Sequence, residues 1–376
     1  MQFSQMKNGR NVRHGFIKFP TDSPRENLTT CFSLPLCLQY TKDGFVPHLT
    51  WDLLKHVPDN SAPALIPLCS MYDLIPTLQS SGQKLSDFIS SDFNRQIFLT
   101  DQDVLVKRRQ GFNSSDFIPI WTESGRKNIY PTDLLNCVNV FKPDAYRLLA
   151  DGETNKESSN KRLDKSVHNT AQLTKKSFNI EGQSCKIKPV FGSIVGGWNL
   201  KQRLISIEHL KSYDVDGYII DGLLAEDLLN ESTDTKENLN ALITYICSHL
   251  PLNKPRALFG PLKPERVADA VSAGIDIFDS SYCSYLTSIH TALVLQSKAF
   301  PFEATSKLLN LADDSFKHDF TVIEKDCCCY TCFKGFTRAY LNHLINVKEM
   351  LGSILINLHN LYVYYDFFNQ ISYLTH

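Results

Sequence analysis

Between residues 188 and 280 the hydrophobic positions alternate between two patterns. Short unbroken apolar runs occur at KPVFGSIVGG (188–197), DGYIIDGLL (216–224), PRALFG (255–260) and IDIFDS (275–280). Between them, apolar residues recur every three or four positions. NLKQRLISIEHLKSY carries Leu200, Leu204, Ile207 and Leu210, and TKENLNALITYICSHL (235–250) carries Leu239, Ile243, Ile246 and Leu250. KPERVADAVSAG (263–274) has Pro264 near its start and Gly274 at its end. A continuous apolar run suits a strand buried on both faces, and a three-to-four spacing suits a helix with one apolar side. Proline in a first turn and glycine just past a last turn are start and stop signals. The stretch therefore predicts strands alternating with helices, which implies parallel β/α units.

The same rhythm continues upstream in weaker form. ALIPLC and QIFLT predict strands, and VNVFKPDAYRLLADG predicts a helix end, a turn and a strand. A (β/α)8 TIM barrel needs roughly 250 residues, which residues 20–295 can hold; a doubly wound open sheet is the alternative. No G-x-G-x-x-G follows any predicted strand, which argues against dinucleotide binding. The polar stretch GETNKESSNKRLDKS (152–166) predicts an exposed loop or a helix start. The expected organisation is a barrel over 1–296, a connection over 297–326 and a C-terminal unit over 327–376. The most apolar stretch, MLGSILINLHNLYVYYDFF (350–368), contains Asn357, His359, Asn360 and Asp366. Those polar groups are costly inside a bilayer, so it reads as a packed or interfacial helix.

Composition narrows the class. The chain has 376 residues, 43% apolar, 21% charged, with net charge −1. That supports one large core or two modest ones and gives no whole-molecule field for nucleic acid. An RNA contact would need a local patch, for which Lys107, Arg108, Arg109, Lys161, Arg162 and Lys165 are candidates. The opening residues, MQFSQMKNGRNVRHGFIKF, lack the apolar core of a signal peptide, and the eleven cysteines are an odd number. Thiols are expected to stay reduced, and the sequons at Asn27, Asn113 and Asn230 to be chance matches.

Four cysteines crowd into DCCCYTCF (326–333), and Cys327, Cys329 and Cys332 spell C-x-C-x-x-C. Thiolates at this spacing can reach one tetrahedral zinc ion, with a fourth ligand from elsewhere. His343 and His359 both lie downstream on helical sequence. Buried reduced cysteines without metal, or a redox pair at Cys329 and Cys332, are the competing readings. Cys328 is expected to point away as a free thiol.

The segment CCCYTCFKGFTRAYLNHL…KEMLGSILINLHN resembles the zinc segment of the tRNA-guanine transglycosylase family, in which C-x-C-x-x-C precedes an RAY-x-x-H-L helix and an HN pair. Relative to the family's usual spacing there is one extra residue around Lys334–Gly335. The resemblance implies His359 as the fourth ligand, one zinc per chain, and a (β/α)8 TIM barrel with a C-terminal zinc-binding subdomain. It extends through CLQYTKDGFVPHLT (37–50), KPDAYRLLADGE (142–153), KRLDKSV (161–167), GGWNLKQRL (196–204) and GIDIFDS (274–280).

Catalytic members exchange guanine for queuine at the wobble position of tRNAs with GUN anticodons. That chemistry needs a carboxylate nucleophile and a second carboxylate for proton transfer, and a pocket for a base taken out of its stack. By resemblance Asp279 stands at the nucleophile's place, Asp151 at that of a base-binding aspartate, and Gly222 in a glycine pair beside the base. The departures are heavier. DSGGFQ is missing, with SSDFNRQIFLTDQDVL (90–105) in its region. Val195 replaces a base-reading glutamine, and SYCSYLT replaces VLPTR. The resemblance therefore implies a non-catalytic subunit, with Asp279 and Asp151 as vestigial candidates. It would form a heterodimer with a catalytic queuine tRNA-ribosyltransferase subunit, bind tRNA, and be able to form a homodimer in isolation. The implied location is cytoplasmic, peripheral at the mitochondrial outer membrane, without a membrane span. Alternatives are an independent base-exchange enzyme using Asp279 or a zinc-stabilised nucleoside-binding barrel. Leu344, Met350, Leu355, Tyr362 and Tyr365 are expected to supply an apolar pairing surface.

Overall fold

The computed structural model describes residues 1–7, 13–19, 31–89, 95–107, 109, 111–180, 187–223, 225–229, 233–296 and 305–375. Asn27, Arg108, Leu224 and Asn230, and the segments 90–94 and 297–304, lie outside the described residues. Eight parallel strands close into a barrel. They are β1 (Leu36–Tyr40), β2 (Ala64–Pro67), β3 (Ile97–Thr100), β4 (Ala145–Arg147), β5 (Val190–Ile194), β6 (Gly217–Ile220), β7 (Arg256–Ala257) and β8 (Ile277–Asp279). Each strand pairs with the next in sequence, and β8 closes on β1 with Ile277 opposite Leu36 and Asp279 opposite Leu38. The order around the barrel is that of a (β/α)8 fold, so the open-sheet alternative falls.

Inward-facing Leu38, Leu65, Phe98, Ala145, Phe191, Ile219, Ala257 and Ile277 form one core with Ile17, Phe19, Phe32 and Leu34. The latter come from or adjoin an antiparallel sheet of Gln2–Lys7, Arg13–Lys18 and Cys31–Ser33. This sheet closes the end of the barrel where the strands begin. Arg13 fixes it there, donating to the carbonyls of Leu252 and Lys254 just before β7 and pairing with Asp276 just before β8 at 3.2 Å.

The principal helices around the barrel are α1 (Ile75–Ser81), α2 (Pro131–Phe141), α3 (Asn160–Phe178), α4 (Leu200–Lys211), α5 (Thr233–Ser248), α6 (Pro264–Ala273) and α7 (Ser281–Ser288). In α4 the predicted stripe is only half right. Ile207 and Leu210 are buried, but Leu200 is exposed and Arg203 takes the inner face. The reason is backbone accounting: the Arg203 guanidinium donates to the carbonyls of Gly197 and Asp221, just past the ends of β5 and β6, and to Ile194 O, which also accepts from Asp221 N. Within the stretch expected to be exposed, residues 152–154 are buried, because they line the opposite barrel end, where the strands finish; Thr154 Oγ1 donates to Gly222 O at 2.9 Å.

After β8 the chain forms a hairpin (Thr291–Leu295 with Ser306–Asn310), then α8 (Tyr330–Phe333), α9 (Arg338–Asn346) and the long α10 (Met350–Thr375). Strand β1 is followed only by a short 3-10 turn at Leu53–His56. Helix α10 packs on that side of the barrel instead, with Phe368 against Phe278 of β8 and the Tyr364 hydroxyl donating to Leu262 O at 2.8 Å. The polar residues inside this apolar helix are its attachment points. Asn357 Nδ2 donates to Pro47 O at 2.7 Å. Asn360 Oδ1 accepts from Leu293 N at 2.8 Å, and its Nδ2 donates to Thr291 O at 2.9 Å. No helix among the described residues is long and apolar enough to cross a membrane.

Asn360 is fully buried, and it holds an edge of the hairpin that has no strand partner there. Asn360→Leu keeps the branching at Cγ but strips both partners, leaving a buried N–H and a buried C=O unpaired. The expected cost is about 2–3 kcal/mol, read as a lowered urea midpoint with an unchanged slope.

Candidate metal centre and barrel mouth

Helix α8 and the loop before it carry three thiols toward α10. Cys329 caps α8, its Sγ accepting from Cys332 N at 3.3 Å. That turn brings the first, third and sixth positions of the motif to one side. Cys327, Cys329, Cys332 and His359 are all buried, and their ligand atoms lie within 4.8 Å of one another. His359 Nδ1 stands 3.7, 3.4 and 3.6 Å from the three Sγ atoms. Its other nitrogen, Nε2, is 2.8 Å from Leu293 O. A carbonyl can only accept, so Nε2 carries the hydrogen and Nδ1 presents its lone pair to the thiols. Such a bond to the far ring nitrogen orients a metal-binding imidazole.

Cys329 and Cys332 are pushed in opposite directions by the thiols beside them. Hydrogen bonds from Cys327 and Cys329 hold Cys332 down to about 4. Hydrogen bonding to Cys327, then to Cys332, drives Cys329 far upward. A cation held among the thiols would compensate their charge once ionised. The spacing fits such an ion: zinc with sulfur at about 2.3 Å and nitrogen at about 2.0–2.1 Å in a tetrahedron separates S from N by roughly 3.6 Å. His343 is exposed on α9 and stacks on Tyr340, away from the cluster. Cys328 is exposed, as expected.

The residues expected at the barrel mouth have been absorbed into the protein. Asp279 is 1% exposed. Its Oδ2 accepts from Gly260 N at 2.6 Å and its Oδ1 from Ser281 N at 2.8 Å. Burial raises its pKa to about 6, against the pull of these bonds. Asp151 is fully buried. Its carboxylate accepts from both terminal nitrogens of Arg162, from Asn169 Nδ2 at 2.9 Å and from Asn113 Nδ2 at 2.7 Å. Arg162 is thereby engaged internally and withdrawn from the candidate phosphate contacts, and Asn113 is tied down as well. A Cβ at Gly222 would stand 2.8 Å from Thr154 Oγ1, so this glycine faces protein rather than open space. Val195, at the glutamine's place, packs with Ala150 and Val167.

Sequence reasoning missed the groups that dominate the mouth. Arg147, at the end of β4, pairs with Asp101 at 3.2 Å and also with Asp221. Asp103 accepts from the Tyr40 hydroxyl at 2.9 Å. The cavity that Arg147, Asp103, Asp221, Phe259 and Gly260 leave is about 100 Å³, against roughly 300–1,000 Å³ for a small-molecule pocket. The available signal was a charge at the C-terminal end of a barrel strand, in AYRLLADG and FLTDQDVL.

The pairing surface also needs correction. Leu344, Leu355 and Tyr365 are buried in the core and Tyr362 is partly buried; only Met350 is exposed, at 78%. A helix packed against barrel, hairpin and the Cys3His cluster has its apolar residues consumed by those contacts. The exposed apolar residues here are instead Phe333, Tyr340, Val347, Met350, Leu351 and Tyr373, with Phe320 just before the unit.

Comparison with known proteins agrees with this architecture. The family model for queuine tRNA-ribosyltransferase matches residues 13–372. The chain is 32% identical over 353 residues to the queuine tRNA-ribosyltransferase accessory subunit 2 of Ixodes scapularis, covering 91% of this chain and 89% of that protein. It is 34% identical over 352 residues to the protein of the same name in Drosophila melanogaster, covering 90% and 82%. With nearly its whole length matched, this chain belongs to the queuine tRNA-ribosyltransferase family.

Proposed function

We propose that this chain is the non-catalytic subunit of a heterodimeric queuine tRNA-ribosyltransferase, pairing with a catalytic subunit that exchanges guanine for queuine at the wobble position. The observation that carries the reading is the state of the barrel mouth. A base-exchange site needs an accessible carboxylate facing space for a purine and a ribose. Here Asp279 spends both oxygens on backbone N–H groups, Asp151 spends its own on Arg162, Asn169 and Asn113, and Arg147 fills the mouth. The names of the relatives support an accessory role. Asp279 and Asp151 then act as structural carboxylates, and the chain's part is to hold its partner and the tRNA. We take residues 1–296 as the barrel, 297–326 as the connection and 327–376 as the metal-binding unit, and place the complex in the cytoplasm, peripheral at most to the mitochondrial outer surface.

The purified chain is expected to give no exchange of guanine from labelled tRNA by itself, and to support exchange once the catalytic subunit is added. Light scattering of the same mixtures reports the heterodimer, and of the lone chain a homodimer. Exchange by the chain alone would contradict the reading. Asp279→Asn should leave exchange by the reconstituted pair unchanged. A nucleophile so altered would lose the activity, since the covalent step depends on it.

The same variant has a pH signature. The folded pKa of Asp279, about 6, lies above its ordinary 3.8. Between those values the native state binds the proton more tightly than the unfolded chain. Its stabilising contribution is therefore complete below about pH 4 and is lost as pH rises through about 6. Wild type should lose roughly 2–3 kcal/mol relative to Asp279→Asn across that window, measured by urea unfolding at each pH. An identical slope in both proteins would contradict the assignment.

We further propose that the Cys327, Cys329, Cys332 and His359 cluster holds one zinc ion. Structural zinc contributes roughly 10–16 kcal/mol of binding energy, so the site clamps α8 and α10 together. Cys329→Ala and His359→Ala should each abolish bound zinc in metal analysis, and His343→Ala should retain it. Full zinc in His359→Ala with loss in His343→Ala would move the fourth ligand.

A further inference from the structure

Between β3 and α2 the chain inserts an antiparallel hairpin, Ile118–Thr122 paired with Gly125–Ile129. Its base is anchored by buried Ile118, Ile120 and Ile129, and Gln102 Nε2 donates to Pro119 O at 2.8 Å. It therefore stands on the rim where the barrel strands end. At its outer end four side chains form an alternating stack. Arg109 lies 5.2 Å over the Trp121 ring, Trp121 meets Phe112 edge-on at 5.8 Å, and Arg126 lies 5.3 Å over Phe112.

This arrangement is unlike the charged groups at the mouth, which are buried and paired. Phe112 is 44% exposed, and both arginines are exposed. Neither guanidinium has a hydrogen-bond or ion-pair partner among the described residues. Stacking over a ring occupies a guanidinium's face and leaves its five N–H donors free in the plane. The structure thus presents aromatic faces interleaved with unspent phosphate-binding forks. Beside it lies a cleft of about 480 Å³, bounded by Gly111 and Asn113, the two neighbours of Phe112, and by Glu153, Glu157, Arg162 and Lys165. Its size suits a nucleotide. Glu153 and Glu157 oppose a phosphate inside it, which favours the base entering and the phosphate lying outward on Arg109 and Arg126.

We propose that this hairpin stack is a docking platform for an unpaired nucleotide of RNA, the base stacking on Phe112 and Trp121 and the flanking phosphates on the two arginines. The proposal rests on the accessory-subunit reading in taking tRNA as the RNA that brings the nucleotide. Base stacking on aromatics tolerates every base, because each has a π face. Discrimination should therefore be between single strands and duplex, whose bases are already stacked.

The test uses the full chain, a single-stranded RNA of about ten nucleotides and a duplex of the same sequence, a length within the usual span of such sites. Single strands are expected to quench tryptophan fluorescence. The quench should vanish in Trp121→Phe, which keeps a stacking ring and should bind as wild type. Phe112→Ala with Trp121→Ala should weaken single-strand binding about tenfold or more and leave duplex binding unchanged. Arg109→Ala with Arg126→Ala should weaken binding and flatten its salt dependence. These hairpin-tip side chains lie outside the core, and an unchanged urea midpoint confirms folding. Unchanged single-strand affinity in the aromatic double variant, or equal loss for duplex, would overturn the platform. If wild type fails to support exchange by a catalytic subunit, the accessory reading falls. If support persists while the double variant binds single strands like wild type, only the platform falls.

Discussion

Leu293 is gripped by two consecutive side chains of the last helix. His359 Nε2 donates to its carbonyl at 2.8 Å, and Asn360 Oδ1 accepts from its N–H at 2.8 Å. Much of the C-terminal unit depends on this grip. It fixes the ring of His359 so that Nδ1 faces three thiols, and it seats α10 against the hairpin after β8. Seated there, α10 covers the side of the barrel that β1, followed only by a 3-10 turn, leaves bare. A helix with so many apolar residues would slide or rotate on a purely hydrophobic contact. The directional bonds of Asn357, His359, Asn360 and Tyr364 fix its register, because a shift of one residue would strand each partner unpaired in the interior.

The same accounting explains the quiet barrel mouth. A catalytic mouth keeps charged groups under-satisfied so that substrate completes them. Here the completion is internal. Arg147 neutralises Asp101 and Asp221, Arg162 neutralises Asp151, and backbone N–H groups hold Asp279. Contacts that could have met a substrate are made within the chain.

Much of this was legible in the sequence for physical reasons. Buried parallel strands must read as apolar runs, so the second half of the barrel, from 188 to 280, stood out. Three thiols at C-x-C-x-x-C spacing have few other uses, and they do meet His359. The failures share a cause. Burial of a polar side chain is decided by which carbonyls lack partners, and that depends on tertiary geometry. Arg203 therefore took an inner face that periodicity had given to Leu200. Nothing local singled out Arg147 and Asp101, and residues 152–154 read as part of a solvated loop. Leu355 and Tyr365 looked free for an interface because nothing local shows that α10 replaces a missing barrel helix. The exposed apolar residues lie instead on α8, α9, the turns around them and the two ends of α10.

Native-state hydrogen exchange of the zinc-loaded chain, before and after a chelator, tests most directly whether the proposed zinc site at Cys327, Cys329, Cys332 and His359 and the Leu293 grip act as one clamp. The account predicts that amides of 291–295 and 350–372 lose protection together on chelation, while β2–β6 keep theirs. Unchanged protection in α10 after the metal has been removed would show that the helix is seated by apolar packing alone, and would contradict the account.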